Sequence, residues 1–199
     1  MLFERHESKA PLAVTTAMRG QRLLLSRTGE DVFVQLARQE APQVVLEAGL
    51  ARRLLAAPGL ALASAPVIAS VGSPKLLLEV VDSATLQALA PDLDAIAAWG
   101  GQHGVSGCYA WCRRPDGAYE GRSFNHLAPS MEDSATGVAA GALTVHLRAG
   151  LTLYQGANTG QPCRIVTKLA DDERILIGGG TASVALRRDQ APLARQNNS

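Results

Sequence analysis

The sequence of 199 residues predicts an α+β fold in which a mostly antiparallel or mixed sheet packs on a buried helix. Short apolar runs separated by turn residues recur along the chain, which is typical of strands joined by hairpins. The helical stretches between them are isolated and lack the regular strand–helix alternation of a parallel α/β sheet. Residues 138–148 form a nearly uncharged helical stretch that is apolar on most sides, as expected for a buried helix.

In the first half of the chain, the sequence pattern predicts five strands and three helices. Apolar runs bounded by turn residues predict strands at 12–16, 21–26, 32–36, 65–71 and 76–81. Apolar side chains at helical spacing, each run stopped by proline or glycine or opened by a capping residue, predict helices at 44–57, 83–89 and 92–100. Asp82 or Ser83 is expected to cap the second helix. The change from strand pattern to helix pattern near residues 40–48 suggests a domain boundary.

The second half predicts a strand-rich region around the buried helix. Its strands are expected at residues 105–112, 119–124, 151–154, 164–169, 174–178 and 182–186. Gly178-Gly179-Gly180 lacks the neighbouring residues of a phosphate-binding loop, so a bulge or a tight turn is expected there. The polar residues 187–199 are expected to fray.

The composition excludes several classes of function. Nineteen basic and eighteen acidic residues give a net charge of +1, which provides no basic surface for nucleic acid or an anionic membrane. No apolar run reaches the roughly 18–20 residues of a membrane span. The charged N-terminus is unlike a signal peptide, and three cysteines are an odd number for a disulfide framework. We therefore expect a cytoplasmic protein with neither nucleic-acid nor membrane partners.

The segment with the most chemical information is Glu132-Asp133-Ser134-Ala135-Thr136-Gly137, directly before the buried helix. Free backbone N–H groups at a helix N-terminus attract an anion such as a substrate carboxylate. Asp133 beside them could act as a general acid or base. The alternative is an ordinary helix start, capped by Asp133 or Ser134, without any chemistry.

Residues 132–147, EDSATGVAAGALTVHL, resemble the signature of the PhzF-like family of phenazine-biosynthesis isomerases, in which an E-D-x-A-T-G-S-A pattern opens the central helix. The hairpin pattern at 12–25 is similar to one in the family. Other segments that resemble the family occur in the same order: Val71-Gly72-Ser73-Pro74-Lys75, Arg122-Ser123-Phe124, Gln155-Gly156 and Gly160-Gln161-Pro162-Cys163-Arg164-Ile165.

The resemblance implies a diaminopimelate-epimerase-like fold, in which two lobes each wrap a curved mixed sheet around a central helix. It also implies cofactor-free proton transfer on a small carboxylate-bearing molecule at the helix N-termini. Asp133 matches the catalytic aspartate of the family, and Gly137 matches the glycine whose amide faces the substrate carboxylate. Thr136 and Glu132 are expected to contribute to substrate binding. Residues 44–188 would then form the C-terminal lobe and residues 1–43 a hairpin remnant of the other lobe, with 189–199 as a tail.

The chain departs from the family pattern at three places, one of which is His126 and Pro129 in place of the usual Pro and Gly of an F-x-P…G stretch. It has no G-N-P or G-H-P motif, which accompany the acid/base glutamate of the first lobe, so we expect the N-terminal third of a typical member to be missing. Val138 stands where the family has a polar Ser or Asn. The alternative function is therefore an inactive relative that binds small acids or serves as an assembly subunit. A homodimer or larger homo-oligomer is expected, because an incomplete lobe would expose sheet edges.

The remaining histidines and cysteines give weaker signals. His126, six residues before Glu132, either substitutes as an acid/base group or is a loop histidine without a role. His146 is expected in the core or at an interface. Cys108 and Cys112 lie four residues apart on a predicted strand, so both should be buried free thiols on one face. No cofactor or metal is expected.

Overall fold

The fold is taken from a computed structural model that describes residues 11–16, 20, 22–125, 132–170 and 174–180. The strands in these residues are β1 Leu12–Thr15, β2 Arg22–Thr28, β3 Asp31–Ala37, β4 Val67–Val71, β5 Ser73–Glu79, β6 Cys108–Arg113, β7 Tyr119–Phe124, β8 Glu132–Asp133, β9 Thr152–Gln155, β10 Cys163–Leu169 and β11 Arg174–Gly180. The helices are α1 Leu50–Leu54, α2 Ser83–Ala88, α3 Leu93–His103 and α4 Gly137–Leu147.

The strands form one mixed sheet in the order β1-β2-β3-β11-β10-β9-β7-β6-β5-β4, and β8 pairs with β7. Neighbours are antiparallel except β5 with β6 and β7 with β9, which are parallel. A bridge between Gln39, just after β3, and Ser70 of β4 joins the two ends of the curved part of the sheet. The strands at residues 12–37 are continuous, through β3 and β11, with the strands that surround α4.

Helix α4 packs inside the curve of the sheet, as the apolar sequence 138–148 predicts. Its buried residues Ala139, Ala140 and Leu143 share a core with Ile177 of β11 and Val71 of β4. The α+β class with a mixed sheet around a buried helix is therefore confirmed. His146 is exposed in the last turn of α4, so it does not lie in the core: its neighbours Val145 and Leu147 pack on the core and His146 points away from it. An interface position for His146 stays a prediction.

The sheet is buried on both faces around β6. Tyr109 and Trp111 point toward α4, while Cys108, Ala110 and Cys112 point toward a second core under α1, α2 and α3. Both thiols are free, buried and on one face, as predicted. Burial raises the pKa of Cys108 to about 12, which keeps it an unreactive thiol. No described helix is long and apolar enough to cross a membrane.

The helix predicted at residues 44–57 is much shorter in the structure, which has only α1. Gly49, directly before α1, has a φ of 88°, in the left-handed region that favours glycine. Before it, Val44 and Leu46 pack on the second core and Val45 is 91% exposed. This alternation is that of an extended chain, so the prediction is wrong for the segment before Gly49.

Two other predictions differ from the structure in detail. Helix α3 ends at His103, with Gly104 as its C-cap, and so continues beyond the predicted stop near Gly100. Gly178 and Gly179 lie inside β11, where no bulge or turn occurs. A Cβ at Gly178 would lie 2.0 Å from the Val32 carbonyl oxygen, so glycine is required there by close approach of the backbone. The strand predicted at 182–186 and the tail lie outside the described residues.

Candidate active site

A cavity of about 660 Å³ lies at the N-terminal end of α4. Its apolar wall consists of β2, β3, β10 and β11 side chains, and its polar groups come mainly from β5, β8 and the segment before α4. The lining residues are Leu23, Val34, Leu36, Ser73, Lys75, Ser106, Asn125, Asp133, Ala135, Thr136, Gly137, Val138, Ile165, Ile177 and Gly178. Asp133, Thr136 and Gly137, which the sequence analysis singled out, therefore meet at one cavity.

Asp133 is directed into the cavity by the short strand β8. Strand β8 pairs with β7 so that Asp133 lies opposite Ser123, and successive strand residues point to opposite faces. The Asp133 Oδ2 atom accepts a hydrogen bond of 2.6 Å from the Thr136 hydroxyl. The other oxygen, Oδ1, lies 3.4 Å from the Ala135 amide nitrogen. The carboxylate is thus fixed in orientation by its own loop while it faces the cavity.

A chain of hydrogen bonds from the core supports the segment that carries Asp133 and Thr136. Gln155 Nε2 donates to the Asp133 carbonyl oxygen at 2.6 Å and to Thr136 Oγ1 at 3.1 Å. The Tyr109 hydroxyl donates to Gln155 Oε1 at 3.1 Å. Burial raises the pKa of Tyr109 well above its usual value, so its hydroxyl stays protonated as a donor. This network fixes the amide orientation of Gln155 and, through it, the position of Thr136.

The first turn of α4 leaves backbone donors at the cavity. The Thr136 carbonyl accepts from the amides of Ala139 and Ala140. Among the residues that the structure describes, none accepts a hydrogen bond from the amides of Gly137 and Val138. These N–H groups form the kind of helix terminus that binds an anion. The Val138 side chain also lines the cavity, which makes this position apolar where the resembling family has a polar residue.

Glu132 points to the face of β8 opposite Asp133 and does not line the cavity. Its carboxylate is held by the Arg122 guanidinium through two bonds, Nε to Oε1 at 3.0 Å and Nη2 to Oε2 at 2.7 Å. The third nitrogen of Arg122 donates to the carbonyl oxygens of Leu86 and Leu89 at the end of α2. Because the pair is largely buried and bidentate, it fixes β8 against α2.

Lys75 is the site residue that the sequence analysis did not single out as functional. It is 1% exposed, lies on the face of β5 that points to α4, and lines the cavity with Asp133. Burial lowers its pKa from 10.5 to about 8, and the Asp133 carboxylate partly opposes this shift. The sequence signal is one charged residue in the buried strand run SPKLLLE, at a position two before the core residue Leu77.

Cys163 does not line the cavity. His126 lies outside the described residues. Cys163 donates from its thiol to the Ser134 carbonyl oxygen at 3.0 Å, and burial raises its pKa. Within the described ranges, no three His, Cys, Asp or Glu side chains form a group that could hold a metal ion.

Comparison with known proteins links this geometry to one family. Residues 5–187 match the family model PhzC-PhzF, described as phenazine biosynthesis-like protein. No curated protein matches the chain.

Solved structures share the fold at low sequence identity. A PhzF-family phenazine biosynthesis protein of Bacillus anthracis is 18% identical with a TM-score of 0.68, over 90% of this chain and 69% of that protein. A predicted epimerase of Pseudomonas aeruginosa is 24% identical with a TM-score of 0.64, over 90% and 67%. A PhzF-family protein of Enterococcus faecalis is 17% identical with a TM-score of 0.63, over 90% and 65%. The chain thus spans about 65% of the length of this last protein.

Proposed function

This chain belongs to the PhzC-PhzF family of phenazine biosynthesis-like proteins, and on this premise we propose that it is an enzyme of the isomerase or epimerase type. It moves a proton on a small carboxylate-bearing molecule by acid–base chemistry of its own side chains. The Pseudomonas aeruginosa relative is a predicted epimerase, which supports the same reaction class.

The observation that carries the proposal is the setting of the Asp133 carboxylate. It faces a cavity with an apolar wall, and the Thr136 hydroxyl holds one of its oxygens at 2.6 Å. A base that removes a proton from carbon must be held in a fixed orientation toward the substrate. The network from Tyr109 through Gln155 to Thr136 supplies that rigidity.

The substrate carboxylate is placed by the start of α4. Gly137 and Val138 line the cavity at the N-terminal end of α4, where their amides are donors and the helix dipole favours a negative charge. Glu132 takes a different part from the one predicted for it: we assign it the anchoring of β8 through Arg122, without contact to the substrate. We assign Thr136 the orientation of the Asp133 carboxylate, through the hydrogen bond from its hydroxyl.

Hydrogen–deuterium exchange tests the role of Asp133. A panel of small carboxylic acids with an acidic C–H is incubated with the protein in D₂O, and deuterium incorporation is followed by NMR. The variant Asp133→Asn is expected to lower exchange by about 10²–10⁴-fold, the usual contribution of a positioned acid/base group. Asp94→Asn, at an exposed position of α3, is the matched control and is expected to retain native exchange.

Two other outcomes would change the proposal. Exchange that is equally fast in Asp133→Asn would contradict the catalytic role of this residue. Binding of the acids without any exchange by the native protein would favour the alternative, a relative that binds small acids without turnover.

A further inference from the structure

Lys75 is a buried cation whose hydrogen-bonding capacity is largely unused. An ammonium group carries three donors. The Lys75 ammonium donates to the Ser106 carbonyl oxygen, and no other acceptor for it occurs among the described residues. No carboxylate in the described part of the chain lies within salt-bridge distance of Lys75. A buried charge with so few partners is unfavourable unless another group completes its surroundings.

The position of Lys75 directs its remaining donors to the cavity. Its strand neighbours on the same face are Ser73, which also lines the cavity, and Leu77, which belongs to the core around α4. Opposite Lys75, β4 presents the small residue Ala69. The lysine stem therefore packs against core while its charged end reaches the cavity lining.

The ionisable groups that act electrostatically on Lys75 are Asp133 of β8, which lines the same cavity, and Cys108, on the other face of the neighbouring strand β6. Because burial dominates, the pKa of Lys75 falls to about 8, so the group is mainly a cation at neutral pH and loses its charge just above it. Asp133 and Lys75 are the two ionisable side chains of the described cavity lining. An anionic ligand that enters beside the Asp133 carboxylate meets repulsion, which a positive charge in the same cavity offsets.

We propose that the Lys75 ammonium, together with the amides at the start of α4, binds the carboxylate of a small organic acid in this cavity and neutralises its charge beside Asp133. The apolar wall formed by Val34, Leu36 and Ile177 receives the uncharged body of the acid. The ligand class is therefore a small monoanion with an apolar body. The inference rests on the proposed function for this ligand class, and it adds the residue that provides the opposite charge.

The test uses benzoate as the probe and benzamide as its uncharged counterpart. The sequence contains three lysines, Lys9, Lys75 and Lys168, so isotope-labelled lysine gives a simple NMR spectrum. Benzoate is expected to raise the pKa of Lys75 above its ligand-free value of about 8, because the anion favours the charged form. By the same linkage, benzoate binds best below pH 8, and its affinity falls up to tenfold per pH unit above that value. Benzamide is expected to cause no such shift.

Substitutions provide the second readout. Lys75→Met, which keeps the length of the stem without the charge, is expected to weaken benzoate binding at pH 7 by at least about tenfold, whereas the exposed Lys168→Met is expected to bind normally. Circular dichroism checks that Lys75→Met is folded, and the titration of native Lys75 requires no variant.

A Lys75 resonance that does not respond to benzoate, or equal benzoate affinity in Lys75→Met, overturns the proposal. Either result can occur while exchange still depends on Asp133, in which case the proposed function stands without this inference. Conversely, Lys75-dependent binding together with exchange that is insensitive to Asp133→Asn removes the catalytic proposal and retains the binding site.

Discussion

At the scale of single residues, Thr136 connects the cavity to the core. Its hydroxyl donates to Asp133 Oδ2 and accepts from Gln155 Nε2, so it is used both as a donor and as an acceptor. Thr136 is 5% exposed, and water cannot easily replace either bond. Loss of the hydroxyl leaves one Asp133 oxygen without its donor and one Gln155 donor without this acceptor.

The pair Thr136→Val and Thr136→Ser tests this positioning role. Valine keeps the shape and removes the hydroxyl, so we expect the turnover rate for proton exchange to fall by roughly tenfold while KM changes little, because a freely rotating carboxylate misplaces the base. Serine keeps the hydroxyl and is expected to retain most of the native rate. The measurement is exchange kinetics over a range of acid concentrations. An equal loss in both variants would indicate a packing effect in place of positioning.

The site residues differ in how well the sequence predicts them. Asp133, Thr136 and Gly137 are adjacent in the chain and open a helix, so a local pattern finds them together. Lys75 joins them through the pairing of β5 with β6 and the packing of α4, which are long-range contacts. Glu132 shows the limit of the local pattern, because the two-residue strand β8 turns neighbouring carboxylates to opposite faces.

At the scale of elements, α4 packs unusually close to the sheet at Gly141. A Cβ atom there would lie 2.6 Å from Ile177 Cδ1 and 3.1 Å from Val71 Cγ1. The packing of two strands, β11 and β4, against the helix thus depends on the absence of a side chain at Gly141. Gly101 of α3 offers the contrast, because it has open space around the same position.

Gly141→Ala and Gly101→Ala are expected to have opposite effects on the free energy of unfolding. In α4, overpacking costs about 1–3 kcal/mol, and better helix propensity returns about 1 kcal/mol. The net result is a loss of up to about 2 kcal/mol. In α3, only the propensity changes, so stability rises by about 0.5–1 kcal/mol. Urea denaturation measures both, and a stabilising Gly141→Ala would show that β11 and β4 adjust without strain.

Helix α1 shows why the sequence predicts some elements and misses others. A stretch that is apolar on most sides predicts α4 correctly, because all six residues from Ala139 to Thr144 are buried. Apolar residues at helical spacing are misleading at residues 44–49, where Val44 and Leu46 reach the second core from an extended chain. Whether residues 44–49 are helical or extended depends on Gly49 and on the distance that the chain must span from β3. The spacing of apolar residues carries no information on either.

At the scale of the whole molecule, the sheet has one edge that the described strands do not cover. Strand β1 pairs only with β2 among them, whereas β4 is bridged to the end of β3. Leu24, on the adjacent strand, is 38% exposed. An edge strand with unused backbone groups is a template for pairing with a second chain.

We propose that the chain forms a homodimer along β1, as the sequence analysis expected of an exposed edge. Light scattering after size exclusion is expected to give twice the chain mass of 20.9 kDa. Ala13→Lys adds a charge to an exposed position of β1 and should shift the mass toward the monomer, whereas Ala48→Lys in an exposed turn should not. A native protein that stays monomeric at every concentration would contradict the proposal.

The pairing of β3 with β11 also constrains how the molecule is made. The two strands pair over seven residues, from Ala37 opposite Arg174 to Asp31 opposite Gly180, and they are far apart in the sequence. Arg164 donates a hydrogen bond to Asp31, which lies 133 positions earlier. During synthesis, β3 leaves the ribosome long before its partner exists, and such non-local pairing forms slowly. We expect the edge of β3 that pairs with β11 to stay unpaired until translation passes residue 180, which makes the nascent chain dependent on protection from aggregation.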